Sequence, residues 1–343
     1  MGSLDKVLPP QLKSKDSRLR RAAVKKINDE SVLAYVAKQD SKYSVRRAAV
    51  KKINDESVLV DVAKHDPDYK VSVEALNRIN DEHLLVDVAK NGSDSNIRLE
   101  AVKRINDESV LADIAKHDPY DNVRCEAVKN INDESVLADV AKQNLYGNVR
   151  FEAVKRINDE SVLAYVVKYD NDVSIRHEAV KRISDESVLA YVVNNDSDPW
   201  VRSAAVKNID DESILVDLAN NDSDSWVRSA AVERINDESI LADLAKNNSE
   251  SLVRLEAVER INDRAILADL AKNAPHENVR SAAGRKLEGK PVFNDAEFID
   301  VIEPPQSDYD DEDYYYDPYD GFSEPPDYGI YCRDDDSWDY GNI

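Results

Sequence analysis

The sequence predicts an all-α protein, an α-solenoid or superhelix built from about eleven helix-pair repeats of 26 residues. Three observations predict it. An arginine recurs at Arg20, Arg46, Arg98, Arg124, Arg150, Arg176, Arg202, Arg228, Arg254 and Arg280, with Ser72 in the one missing place. Each period holds two short stretches with apolar residues at helical spacing. No insertion interrupts the register from residue 20 to residue 280.

The first stretch of each unit opens with Asn28, Asp29 and Glu30, followed by Val32, Leu33, Val36 and Ala37 on one face. Asn or Asp is suited to capping the helix start, and Glu30 to the positive end of its dipole. The second stretch places Val45, Ala49, Val50 and Ile53 on one face. Acid-proline pairs, Asp66-Pro67, Asp118-Pro119 and Asp198-Pro199, mark its start, since proline early in a helix loses no needed hydrogen bond. Neither helix hides its apolar stripe alone, so stacking of units makes the core.

The recurring arginine falls near the centre of the apolar face of the second helix. A charge there needs a partner. An aspartate often stands six residues before it, at Asp40, Asp118, Asp170, Asp196 and Asp222. The expectation is a structural ladder across the turns and between units, with Arg46, Arg124, Arg176, Arg202 and Arg228 as its cations. Along the outer side of the second helix, Glu74, Glu100, Glu126, Glu152, Glu178 and Glu256 are followed four residues on by Arg78, Arg104, Asn130, Arg156, Arg182 and Arg260, a spacing that suits paired, solvated charges.

Segments such as "DPYDNVRCEAVKNI" and "DSDSWVRSAAVERI" resemble HEAT repeats of the short, phycobilisome-lyase-like kind, and "LADLAKNNSESLVRLEAV" is similar to leucine-rich variant repeats. The resemblance covers about residues 14 to 287 and departs from ordinary HEAT repeats in its shorter period. It implies a stack of helix pairs, and it admits two functions. One is a scaffold. The other is an enzyme or cofactor handler, either a chromophore lyase or a deoxyhypusine-hydroxylase-like oxidoreductase holding iron through His-Glu pairs. The chain has two such pairs, His177-Glu178 and His276-Glu277, in different columns, so they form no symmetric cage. His65 and His117 share a column two units apart, too distant for one metal. No phosphate-binding glycine loop and no nucleophile-base set is evident, so no catalytic residue, metal or cofactor is assigned.

The expected domains are a solenoid over residues 1–287, a capping helix over 288–303 and an acidic, tyrosine-rich tail over 304–343. "FNDAEFIDVI" repeats the apolar places of a first helix through Phe293, Phe298, Ile299 and Ile302. The last stretch carries thirteen acids against Arg333 alone, with eight tyrosines, Phe322 and Trp338. That composition argues for disorder, either as a charged solubilising tail or as a segment that folds against something basic and apolar, including the body's own lysines.

With a formal net charge of −23, nucleic acid is a poor partner. Cys125 and Cys332 make no disulfide framework or metal cluster, and Cys125 reads as a free thiol. No secretory leader, myristoylation signal or membrane span is apparent, so a cytoplasmic protein is expected. The expected partner is a protein or peptide. Among near-identical units the column Val73, Leu99, Cys125, Phe151, His177 varies freely, and its first four members predict an exposed apolar strip. Trp200 and Trp226, one period apart, are the second candidate contact.

Overall fold

A computed structural model describes residues 8–293. Among them it shows twenty-one α-helices after a 3-10 turn at Pro10–Lys13, and no strand. The chain divides into two units, the first ending at Ile157 and the second beginning at Asn158. In the first unit, α1 is Ser17–Val24, followed by the pairs α2 Glu30–Gln39 and α3 Tyr43–Val50, α4 Glu56–His65 and α5 Tyr69–Leu76, α6 Glu82–Asn91 and α7 Ser95–Val102, α8 Glu108–His117 and α9 Asp121–Asn130, and α10 Glu134–Gln143 and α11 Gly147–Val154. In the second, the pairs are α12 Glu160–Tyr169 and α13 Val173–Val180, α14 Glu186–Asn195 and α15 Pro199–Val206, α16 Glu212–Asn221 and α17 Ser225–Arg234, α18 Glu238–Asn247 and α19 Ser251–Arg260, and α20 Arg264–Asn273 and α21 Glu277–Leu287. Each unit is an α-solenoid. The partners in a pair pack together, and the second helices of successive pairs pack in sequence. None of the described helices is long and apolar enough to cross a membrane.

The core lies between the two helices of a pair and between neighbouring pairs. Val32, Leu33, Val36 and Ala37 are buried, as are Val45, Ala49, Val50 and Ile53. Burying one such leucine or isoleucine contributes about 1.5–3 kcal/mol. Ile53 belongs to the turn after α3 rather than to the helix. Pro67 and Pro119 likewise sit in turns, because the caps come later, at Asp68 and Tyr120. Only Pro199 opens its helix.

Each first helix starts on an aspartate whose carboxylate accepts from the backbone N–H two residues on, as Asp29 does from Ser31 at 2.9 Å. The Ser31 hydroxyl donates to the same oxygen and holds the Asp29 carboxyl below its ordinary range. The neighbouring glutamate does more than face the dipole. Glu30 accepts from the Asn54 N–H at 3.1 Å, Glu108 from Asn132 at 2.9 Å, Glu212 from Asn236 at 3.0 Å and Glu238 from Asn262 at 3.1 Å. It clasps the turn of the next repeat.

The basic column read as pairing with Glu four residues earlier makes a different bond. Arg104 donates to the Leu76 carbonyl at 2.6 Å, Arg78 to Ile53 at 2.6 Å and Arg260 to Ile235 at 3.0 Å. The carbonyls that end a helix have no partner within it, and a cation from the next repeat satisfies them. Glu100 and Glu178 pair instead with the lysine three residues on.

The arginine column holds each stack together. Arg46 donates from Nη1 to the Asp40 carbonyl at 2.9 Å, six residues back, and from Nε to Asp66 of the next repeat at 2.7 Å. Arg20–Asp40, Arg98–Asp118, Arg176–Asp196 and Arg202–Asp222 repeat this pairing. The acid thus serves two arginines, its backbone carbonyl taking one and its carboxylate the other. Asp170 gives its carbonyl to Arg176 at 3.1 Å and its carboxylate to the Asp172 N–H at 2.9 Å. Where Asn144 replaces the +20 acid, Arg124 lies 3.6 Å from the Tyr146 ring centre and pairs with Asp121. Where it is Asn248, Arg228 keeps its bond to the Asp222 carbonyl at 2.7 Å, and its Nε is buried without a partner. At the one missing arginine, Ser72, the +20 residue is Gly92, so cation and acid are lost together. Ser72 still reaches the Asp66 carbonyl at 3.1 Å.

Asp222→Ala is expected to destabilise the chain by about 3–5 kcal/mol, because it strands a buried Arg202. Arg202→Ser with Asp222→Gly, which copies the chain's own Ser72/Gly92 rung, is expected to cost less than the single change. Urea unfolding of the two variants checks this. A double variant weaker than the single one contradicts the pairing account.

Candidate functional site

The varied column does not form an open strip. Cys125 and Phe151 are buried, at 1% and 5% exposure, and Val73 and Leu99 are half-buried. The reason is lateral. A residue in this column faces the glutamate of the next second helix, as Arg47 meets Glu74 at 2.9 Å and Ser229 donates to Glu256. The column therefore fills the seam between neighbouring second helices. Nor is Cys125 a free thiol. The capping segment from residue 294 and the acidic stretch at 304–343 lie outside the described residues.

In the second unit the seam brings two candidates together. His177 on α13 stacks on Trp200 of α15, with ring centres 3.7 Å apart and planes 18° from parallel. Burial, with Lys181 and Lys207 nearby, lowers the His177 pKa to about 4, so the imidazole is neutral at physiological pH. Trp226, one period on at the start of α17, is 38% exposed.

Further along the same seam, Glu256 on α19 accepts from the Ser229 hydroxyl through Oε1, while Oε2 is buried without a partner. Burial raises its pKa to about 7; the Glu233 charge adds to this and Arg228 opposes it. Glu233 is itself raised by burial. A shallow opening of about 350 Å³ lies elsewhere in this unit, beside the Arg202–Asp222 rung and lined also by Asn194, Asp217 and Asn221. Among the described residues no three His, Cys, Asp or Glu side chains gather to hold a metal ion.

One surface has no counterpart in the sequence reading. In the first unit Tyr43, Tyr69, Tyr120, Leu145 and Tyr146 are exposed, all at the turn that leads into a second helix. Tyr120 lies 5.5 Å from Arg98, and Tyr146 covers Arg124. The available signal was local: an aromatic at the start of a second helix where the equivalents in other repeats are not aromatic save for His276. On the first helices, Lys38–Asp61, Lys64–Asp87 and Lys246–Asp269 pair across repeats. Where tyrosine replaces the acid, Lys168 lies 5.0 Å from the Tyr191 ring centre, a cation–π contact at the same register.

No family model matches the chain, and no curated protein matches it significantly. The structure supports a helical repeat protein made of successive helix pairs.

The seam predicts two opposite pH slopes. Glu256, raised from 4.5 to about 7, keeps its proton longer in the folded chain. Folding then takes up a proton between those values, and stability falls as pH rises through them. Glu256→Gln is expected to abolish that slope and add on the order of 3 kcal/mol above pH 7. His177, lowered from 6.5 to about 4, resists protonation when folded, so stability falls as pH drops from about 6.5 to 4, and His177→Phe removes that loss. Denaturant midpoints from pH 4 to 8 for the three proteins measure both. Unchanged slopes in the variants overturn the assignment.

Proposed function

We propose that the chain is a non-catalytic, cytoplasmic scaffold of the HEAT-like kind that binds a protein or peptide partner. The observation that carries this reading is the row of exposed aromatic side chains on the turn edge of the first unit, Tyr43, Tyr69, Tyr120 and Tyr146 with Leu145. Tyrosine offers a large, rigid contact with a polar tip at small entropic cost, and it is enriched where proteins meet. Neither Tyr43 nor Tyr69 caps its helix: the cap of α5 is Asp68, and that of α3 is Lys42, which makes no side-chain cap bond. Uniform columns fix the spacing between repeats, and varied positions on that spacing present the contact.

The contact surface in this reading is the turn edge, with Trp226 as the equivalent feature of the second unit. It replaces the second-helix column, whose members are taken up by the seams. Tyr43→Ser with Tyr69→Ser is expected to reduce affinity capture of partners from native extract by about tenfold, with helix content by circular dichroism unchanged. Capture of the same proteins in the same amount by wild type and variant would falsify the reading.

A further inference from the structure

The second unit repeats one guanidinium frame with a single part removed. Arg202 donates from Nη1 to the carbonyls of Asp196 and Ser197 at 3.0 and 3.2 Å. Its other edge, Nε and Nη2, holds the Asp222 carboxylate at 2.9 and 2.8 Å. Asp222 also accepts from the Asp224 N–H at 2.8 Å. Arg254 is anchored the same way, from Nη1 to Asn248 and Ser249 at 2.8 and 2.7 Å. Its free edge therefore points to the place of residue 274, where Ala274 stands.

The backbone there is unchanged. The Ala274 N–H donates to the Leu270 carbonyl at 3.1 Å, as Asp222 does to Leu218 at 3.0 Å. The Ala274 carbonyl accepts from Arg280 at 2.7 Å, as that of Asp222 does from Arg228. Only the carboxylate is missing. Arg254 is 8% exposed and Ala274 2%, and the Arg254 Nε is buried with no partner. Among the described residues, the His276 N–H also lacks the side-chain oxygen that its counterparts meet at Asp224 and, through Asn248, at Glu250.

Other rungs do not leave the acid's place bare, although the Nε atoms of Arg98, Arg124 and Arg228 are likewise buried without a partner. Ser72 and Gly92 drop cation and acid together. Asn144 and Asn248 fill the place with an amide, giving Oδ1 to the N–H two residues on and turning Nδ2 to the Ala115 and Ala219 carbonyls at 3.0 and 3.1 Å. Among the rungs within one unit, Arg254 alone keeps its cation opposite a bare methyl.

We propose that Arg254 Nε and Nη2 with the His276 N–H form a binding site for one carboxylate group, in the place vacated by the aspartate side chain at 274. A bidentate fork plus a backbone N–H matches a planar carboxylate in both geometry and charge. The carboxylate comes either from a small free acid or from an acidic peptide such as the chain's own Ser307–Asp313 sequence, SDYDDED.

Thermal unfolding of the full chain tests the site at constant ionic strength, with sodium formate replacing sodium chloride. Wild type is expected to gain about 2–4 °C, saturably. Ala274→Asp supplies its own carboxylate, so it is expected to start with a higher Tm and to lose the formate response. Arg254→Gln also loses the response. The free peptide SDYDDED, titrated in place of formate, assigns the source: a shift at lower concentration than formate points to an acidic segment, and a shift with formate alone to a small acid. Equal formate shifts in wild type and Ala274→Asp, or no gain in Tm from Ala274→Asp, overturn the proposal.

Discussion

Every repeat but the one at Ser72 turns on one guanidinium, buried or half-buried. A second helix of eight to eleven residues is too short to be stable alone. It is held by apolar contacts and by an arginine that bonds backward to a carbonyl of its own turn and forward to a carboxylate of the next repeat. Taking the cation out of water is costly unless both are present. A rung therefore fixes the distance and register between neighbours, which apolar side chains, being non-directional, do less sharply. The glutamate clasp at the start of the first helices before α20 and the basic side chain that caps the preceding second helix add directional bonds across the same joint.

Much of this was legible in the sequence. Period, helix pairing and buried faces follow from spacing alone, because burial selects apolar residues at helical intervals and a fixed period forces neighbours to be equivalent. The cost of a buried charge pointed to a ladder. Links across the turn and between units were expected; which group makes each was not legible, since the aspartate six residues before Arg46 gives its carbonyl and Asp66, twenty residues on, its carboxylate. The Glu–Arg spacing misled for the same reason, since Arg104 finds an unsatisfied carbonyl in the previous repeat rather than a solvated glutamate beside it. Helical periodicity reports direction around one helix, and these bonds run between helices.

The candidate surfaces were less legible. Phe151 and Cys125 vary among near-copies, and variation was read as exposure. The seam between second helices also permits variation, because each position meets only one partner: Arg47 with Glu74, Ser229 with Glu256, His177 with Trp200. Local pairs of this kind can change one at a time without disturbing the stack. The tyrosines of the turn edge escaped notice because two fall one residue out of the strict register, at Tyr120 and Tyr146, where they also cover arginines.

The end of the described array is written in the same terms. In each repeat but the last, the residue after the capping aspartate is a glutamate; in α20 it is Arg264. A glutamate there would look for a turn N–H near residue 288, as Glu238 finds that of Asn262. But α21 runs on to Leu287, and the N–H of Glu288 is spent on the Gly284 and Arg285 carbonyls. The helix then stops at Gly289, whose φ of 73° suits a residue without a Cβ. With the N–H of Glu288 already spent, a glutamate at 264 would have no such bond to make, and Arg264 stands there instead. The same last repeat carries Ala274 in place of the rung's acid, so two inter-repeat partners are given up together where the pattern ends. The clasp is dropped with its cause, while Arg254 keeps its charge and its anchoring carbonyls, and that difference separates a finished end from an open site.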